Sequence, residues 1–147
     1  MDSCRHTYRL YKREKLCSVK AIDSLFAQGR GNAVMAYPLR VVWRRNEMRK
    51  DSTVQFLITV PKKRLHHAVD RVLMRRRIRE SYRLNRQYLE AMSKDFPVDM
   101  AFIYVADSVK PYSRVEGAMI KALKNIARQS GANDASAGGC KAQTDNV

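Results

Sequence analysis

Cysteine, acidic residues and long apolar runs are what this chain has little of, and each shortage closes off a class of protein. Its three cysteines, Cys4, Cys17 and Cys140, are odd in number and scattered. They form no CxxC pair and no disulfide framework, which points to free thiols in a reducing cytoplasm. His66 and His67 are adjacent, so they diverge on any regular element, and no cysteine pair accompanies them to complete a zinc site. No run of about 18 apolar residues is present to cross a bilayer. Residues 1–15 lack the apolar core of a secretory signal. The 14 acidic residues are spread out, with no DxD, ExK or HxE grouping of the kind a metal-dependent nuclease needs. GxxxxGK, GxGxxG and GxSxG are all missing. His66 and His67 remain as a formal acid–base pair, but beside a helix start such residues are ordinarily polar or capping groups. The expectation is that the protein itself carries no catalytic residues and no metal ligands, and that it binds rather than cuts.

What the chain has in excess is positive charge: 29 Lys and Arg against 14 Asp and Glu, a formal net charge of +15 over 147 residues. More than half of that excess sits in one stretch without Gly or Pro, KKRLHHAVDRVLMRRRIRESYRLNR. Here Lys62, Lys63, Arg64, Arg71, Arg75, Arg76, Arg77, Arg79, Arg83 and Arg86 face only Asp70 and Glu80. From Ala68 it predicts one long helix. A wheel at about 100° per residue puts Met74, Ile78, Tyr82, Asn85, Leu89 and Met92 in one stripe, the core side. Arg75, Arg79 and Arg86, then Arg76 and Arg83, fan out on a neighbouring arc. Like charges at that spacing repel by a few tenths of a kcal/mol per pair, a cost that an anionic partner relieves. A solvated face would intersperse both signs. The guanidinium fork matches phosphate geometry, so the run points to nucleic acid.

With 45% hydrophobic residues the chain is long enough for one domain with a real core. Residues 1–15 are expected to be a basic arm, 16–129 the folded domain and 130–147 a Gly-rich disordered tail. Ser18 caps a predicted short helix over 19–28, with Ile22, Leu25 and Phe26 on one side and Gly29 as its stop. Residues 30–36 are expected as a loop. A strand over 39–45 and a second over 54–60 alternate in polarity and are expected to pair as an antiparallel hairpin around a charged tip. The strand over 98–106 is apolar on both faces, hence central. Ser113 is expected to cap a last helix to about Gln129, with Glu116 at its third position as in a capping box and Met119, Leu123, Ile126 and Ala127 inward. The order α-β-β-α-β-α predicts an α+β domain, one mixed sheet with helices packed on one side.

Several of these segments together resemble the protein subunit of bacterial ribonuclease P. They are LFAQG (25–29), ITVPKK (58–63) and AVDRVLMRRRIRE (68–80), the last similar to the family signature AVxRNRxKRxxRE. The resemblance runs from about Arg13 to Arg128. It departs where the family's RNR triplet falls on Arg71, Val72 and Leu73, so that no RNA contact carries over to Val72 and Leu73. Pro61 replaces a small polar residue, and the loop after Lys63 is one residue longer.

The resemblance implies a fold like the second domain of ribosomal protein S5, with a left-handed β-α-β crossover. It implies an RNA-based endonuclease that removes the 5′ leader of precursor tRNA, with catalysis in the RNA and Mg²⁺ bound mainly by that RNA. Partners would be the ribonuclease P catalytic RNA and precursor tRNA, with no membrane and no DNA. The RNA-binding residues it implies are Lys62, Lys63, Arg64, Arg71, Arg75, Arg76, Arg79 and Arg83. The leader cleft would use Ile22, Phe26 and Val42. Backbone electrostatics plus stacking suits a leader of variable sequence, and helical RNA is held by shape and phosphates. A structural or ribosomal RNA-binding protein with no processing role is the alternative from composition. A DNA-binding helix is weaker, for no helix-turn-helix or dimerising element accompanies it.

Overall fold

A computed structural model describes residues 10–27, 32–46, 49–50, 54–89 and 97–139. Helix α1 spans Val19–Phe26, strands β1 Asn32–Ala36, β2 Leu39–Arg45 and β3 Val54–Thr59, helix α2 Ala68–Asn85, strand β4 Val98–Tyr104 and helix α3 Tyr112–Gly139. The four strands form one sheet in the order β1-β2-β4-β3, with β1–β2 and β2–β4 antiparallel and β3–β4 parallel. The α+β class and the mixed sheet hold, and α2 provides the crossover that a parallel β3–β4 pair requires.

Strand β4 takes the centre because it is apolar on both sides: Val98, Met100, Phe102 and Tyr104 on one face and Ala101 on the other are fully buried. Strands β2 and β3 each carry polar residues on one face, Arg40 and Arg44 or Gln55 and Thr59, and flank it. The expected β2–β3 hairpin is therefore not formed; both strands pair with β4 instead. Asp99 ties the connection across. Its carboxylate accepts from Arg49 Nη1 at 2.5 Å and Asn46 Nδ2 at 2.8 Å, while Arg49 Nη2 donates to Val98 O at 3.1 Å. The real hairpin is β1–β2, turned at Tyr37 and Pro38, whose peptide bond is cis. Residues 32–36, expected as part of a loop, form an edge strand with Val34 and Ala36 turned inward.

The helices also divide differently from the expected one-sided packing. Helices α2 and α3 cover the face of Leu39, Val41, Trp43, Val54, Phe56 and the even-numbered β4 residues. Helix α1 lies on the opposite face, where Leu16 and Leu25 bury against Val42 and Ala101. Both faces of β4 need cover, and one layer of helices cannot supply it. The predicted inner stripe of α2 holds: Met74, Ile78, Tyr82, Asn85 and the following Leu89 are buried, while Met92 lies outside the described residues. Helix α3 starts at Tyr112, so Ser113 lies inside it and is not its cap; Pro111 O accepts from Arg114 N and Val115 N. It runs on to Gly139, past the expected end near Gln129. Ser130 is buried with its hydroxyl donating to Ala127 O at 3.0 Å, so this first part of the expected tail belongs to the helix. Ala127, Ala132, Ala135 and Ala137 favour its continuation. The last residues of the expected arm, 10–15, are likewise docked on the sheet.

Where α2 meets the sheet, Phe56, Tyr82 and Phe102 form a ring cluster with centroid separations of 4.5, 5.4 and 6.2 Å. Each such pair contributes about 0.5–1.5 kcal/mol beyond its buried area. Burial, and then the nearby Glu14 carboxylate, raise the Tyr82 hydroxyl well above the ordinary tyrosine range. The unfolded chain therefore ionises first as pH rises through about 10, so stability from the neutral phenol is full below that pH and is lost above it. The urea midpoint of the wild type is expected to fall between about pH 9 and about pH 11, and to fall less for Tyr82→Phe. Equal falls would show that Tyr82 does not carry the alkaline sensitivity.

Candidate nucleic-acid interface

The core stripe of α2 decides which arginines are left outside. Arg75 is half-buried and Arg76 and Arg79 are exposed, and none of the three has a hydrogen-bond or ion-pair partner among the described residues. Three guanidinium groups share one arc of a single helix, and none of them forms an ion pair with an acid among the described residues. Lys62 and Lys63, also exposed and without partners among the described residues, stand at the end of β3 where the chain turns toward α2.

The other expected RNA contacts are engaged within the protein. Arg64 Nη1 pairs with Asp107 at 2.9 Å, an exposed pair that a phosphate can displace at little cost. Arg83 Nε donates to Glu80 Oε2 at 2.9 Å, which holds the Glu80 carboxyl below its usual range. Arg71 Nη1 donates to Leu65 O at 3.0 Å and His66 O at 2.8 Å, locking the loop into the first turn of α2. Helix α2 has no side-chain cap from His67, so Arg71 fixes its entry instead. Arg77 is likewise structural, donating to Lys110 O at the start of the α3 connection. Val72 and Leu73, at the positions of the family's Asn and second Arg, are exposed, as is Val69.

The second surface lies across the sheet. Ser18 Oγ accepts from Ala21 N at 3.5 Å to begin α1, and Arg44 Nη1 donates to Ser24 O at 3.3 Å, pinning one flank of α1 to β2. A wheel of α1 places Val19, Ile22 and Phe26 on the opposite flank. Val19 and Phe26 are 71% and 46% exposed, so Phe26 is a surface aromatic and not a core residue; Ile22 is half-buried against the inner cluster. Beside them runs a cross-strand row on the same sheet face: Met35, Arg40, Ile103 and Thr59, in register across all four strands. Met35 is 62% exposed and Arg40 is exposed.

An apolar flank with an aromatic tip thus overlooks a floor that mixes apolar side chains with a guanidinium. Val42, expected in the cleft, is buried beneath α1 against Leu16, Leu25 and Ala101, and offers almost no surface to a ligand. Met35 of the open row was not foreseen because 32–36 was read as loop; the alternation in NAVMA was the available signal. The row ends at Thr59, three positions before Lys62, so the Pro61–Leu65 loop joins the groove to the α2 arc.

Among the described residues no three His, Cys, Asp or Glu side chains come together to hold a metal ion, and no helix is long and apolar enough to cross a membrane.

Comparison with known proteins places this geometry. The sequence profile described as Ribonuclease P matches residues 10–127. Two curated proteins named ribonuclease P protein component, from two strains of Porphyromonas gingivalis, are each 37% identical over 123 residues, covering 82% of this chain and 88% of the relative. A solved structure of the Staphylococcus aureus RNase P protein superposes with a TM-score of 0.61 at 17% identity, covering 77% of this chain and 94% of that one, a likeness of fold. The profile spans the sheet, the α2 arc and the groove together, and the chain belongs to the ribonuclease P protein component family.

Proposed function

We propose that this chain binds the catalytic RNA of ribonuclease P through the α2 arc and the 5′ leader of precursor tRNA through the groove beside α1, and so assists 5′ maturation of tRNA in the cytoplasm. The observation that carries the reading is the arc itself: Arg75, Arg76 and Arg79 face outward together with no acidic partner among the described residues. Family membership favours this role over that of a ribosomal protein. Hydrolysis is assigned to the RNA, with Mg²⁺ held mainly there, as the resemblance to the family implies. The protein's contribution is positional. Its cations lower the repulsion between catalytic RNA and substrate, and Phe26 with Met35 gives bases of any sequence an apolar face to stack on.

Reconstitution tests the whole reading. Adding the protein to a bacterial ribonuclease P RNA at low Mg²⁺ is expected to raise leader cleavage; no stimulation would overturn the assignment. Changing Arg75, Arg76 and Arg79 together to Ala is expected to leave the fold intact and to weaken binding to that RNA. The slope of log affinity against log salt should flatten by about 2–3 units, roughly 0.7–0.9 for each phosphate that is no longer neutralised. The triple Lys variant should keep most of the slope and lose some affinity, since it keeps charge without the planar fork. Unchanged affinity and slope in the Ala variant would make the arc a solvated face.

Phe26→Ala isolates the groove. At 46% exposure the ring contributes far less to stability than a core aromatic, so the melting temperature should hardly move. Affinity for precursor tRNA should drop by about 1–3 kcal/mol, the worth of one stacking platform, with mature tRNA unaffected. Equal weakening toward both substrates would remove Phe26 from leader binding.

A further inference from the structure

We propose that residues 11–15, strapped around the outer edge of β3, are a second RNA-binding element that extends the α2 arc into one continuous phosphate-binding surface. The proposal rests on the reading of α2 as the surface for the ribonuclease P RNA, and it adds residues that neither the family signature nor the basic run of 62–86 contains.

The strap is anchored at both ends on opposite sides of the sheet. Leu10 packs against the core beneath α2 and α3, and Leu16, 2% exposed, is buried in the cluster beneath α1. Between them the chain rounds the free edge of β3. Leu16 N donates to Phe56 O at 3.0 Å, Lys15 forms a parallel bridge with Phe56, and Gln55 Nε2 donates to Arg13 O at 2.9 Å.

Within the strap the charges are sorted by sign. Glu14 turns inward: its carboxylate accepts from Tyr11 N at 2.6 Å and from Arg86 Nη1 at 2.8 Å, and its side chain is 15% exposed. Lys12, Arg13 and Lys15 are all exposed. The Arg13 guanidinium lies 5.2 Å from the centroid of the Tyr11 ring, a stacked pair at the surface.

The Glu14–Arg86 contact fixes which side of α2 the strap adjoins. On the wheel Arg86 falls between Arg75 and Arg79, on the flank away from Arg77 and α3. Glu14 neutralises Arg86 from inside the protein, while Arg79 on the same flank of α2 and Lys12 and Arg13 on the strap stay exposed and Arg75 is half-buried. A strap that only shielded the β3 edge would need lysines there, but not the inward turn of its single acid toward α2. Cations arrayed along a helix flank and the adjoining edge suit the phosphates of folded RNA, which are read by position rather than by base.

Lys12→Ala/Arg13→Ala/Lys15→Ala keeps every backbone contact of the strap, so its melting curve should match the wild type. Lys12→Ala/Arg13→Ala is made in parallel, because Lys15 sits in the bridge to β3. Binding to the ribonuclease P RNA is measured across a salt series for both, beside the α2 triple Ala variant. The salt slope is expected to flatten by about 2–3 units for the triple strap variant and about 1–2 for the double. The ratio of precursor to mature tRNA affinity should stay the same, since the strap is not in the leader groove. If the α2 variant flattens the slope and the strap variants do not, this proposal fails while the reading of α2 stands. If neither flattens it, the reading of α2 fails and the proposal with it. If the precursor-to-mature ratio falls with an unchanged RNA slope, the strap serves the leader and the proposal is overturned.

Discussion

A strand that is apolar on both sides has to be covered on both sides, and β4 is such a strand. Its even-numbered residues Val98 to Tyr104 need α2 and α3; Ala101 and Ile103 need α1. From that requirement the placement of both candidate surfaces follows. Helix α2 must spend one stripe on the sheet, which leaves its arginines on the far arc. Helix α1 is too short to cover the whole opposite face, so the row Met35–Arg40–Ile103–Thr59 stays partly open beside it. Arc and groove therefore lie on opposite faces of one sheet, joined by the Pro61–Leu65 loop with Lys62 and Lys63.

Electrostatics is handled by sorting. With 29 basic residues against 14 acidic ones, the acids cannot neutralise the bases, and several are committed to architecture. Asp99 is buried and holds the β2–β3 connection, and Glu14 holds the strap. Several basic residues are structural as well: Arg71 holds the loop at the entry to α2, Arg77 anchors the α3 connection, Arg44 pins α1 and Arg86 meets Glu14. The side chains that remain in the basic run, Arg75, Arg76, Arg79, Lys62 and Lys63, concentrate where no described partner competes with phosphate. A basic run thus divides into side chains that build the protein and side chains without a described partner, and the division is not visible in the run itself.

Periodicity and composition determined a good deal without any coordinates. The α2 stripe from Met74 to Leu89, the double-sided burial of β4, the Ser18 cap and the surplus of arginine are all local properties. Each is set by side-chain spacing or residue type along one element, and each is present in the structure. Sequence also carried the family, because AVDRVLMRRRIRE and ITVPKK are contiguous motifs.

What only tertiary structure decided is everything that depends on which element lies beside which. Strands β2 and β3 follow one another with a short connection, and nothing within either says that β4 inserts between them; the decision lies with β4, far along the chain, which takes the centre because both its faces are apolar. Val42 alternates like a cleft residue, but whether it is floor or core depends on where α1 lands. Arg71 and Arg79 look alike in the run; one meets the carbonyls of Leu65 and His66 and the other meets solvent. The strap over 11–15 has the composition of a free arm, yet Leu10 and Leu16 find separate cores on opposite faces. Spacing along the chain encodes which face of an element is apolar; which neighbour that face meets is settled only when distant elements compete for the same buried surface.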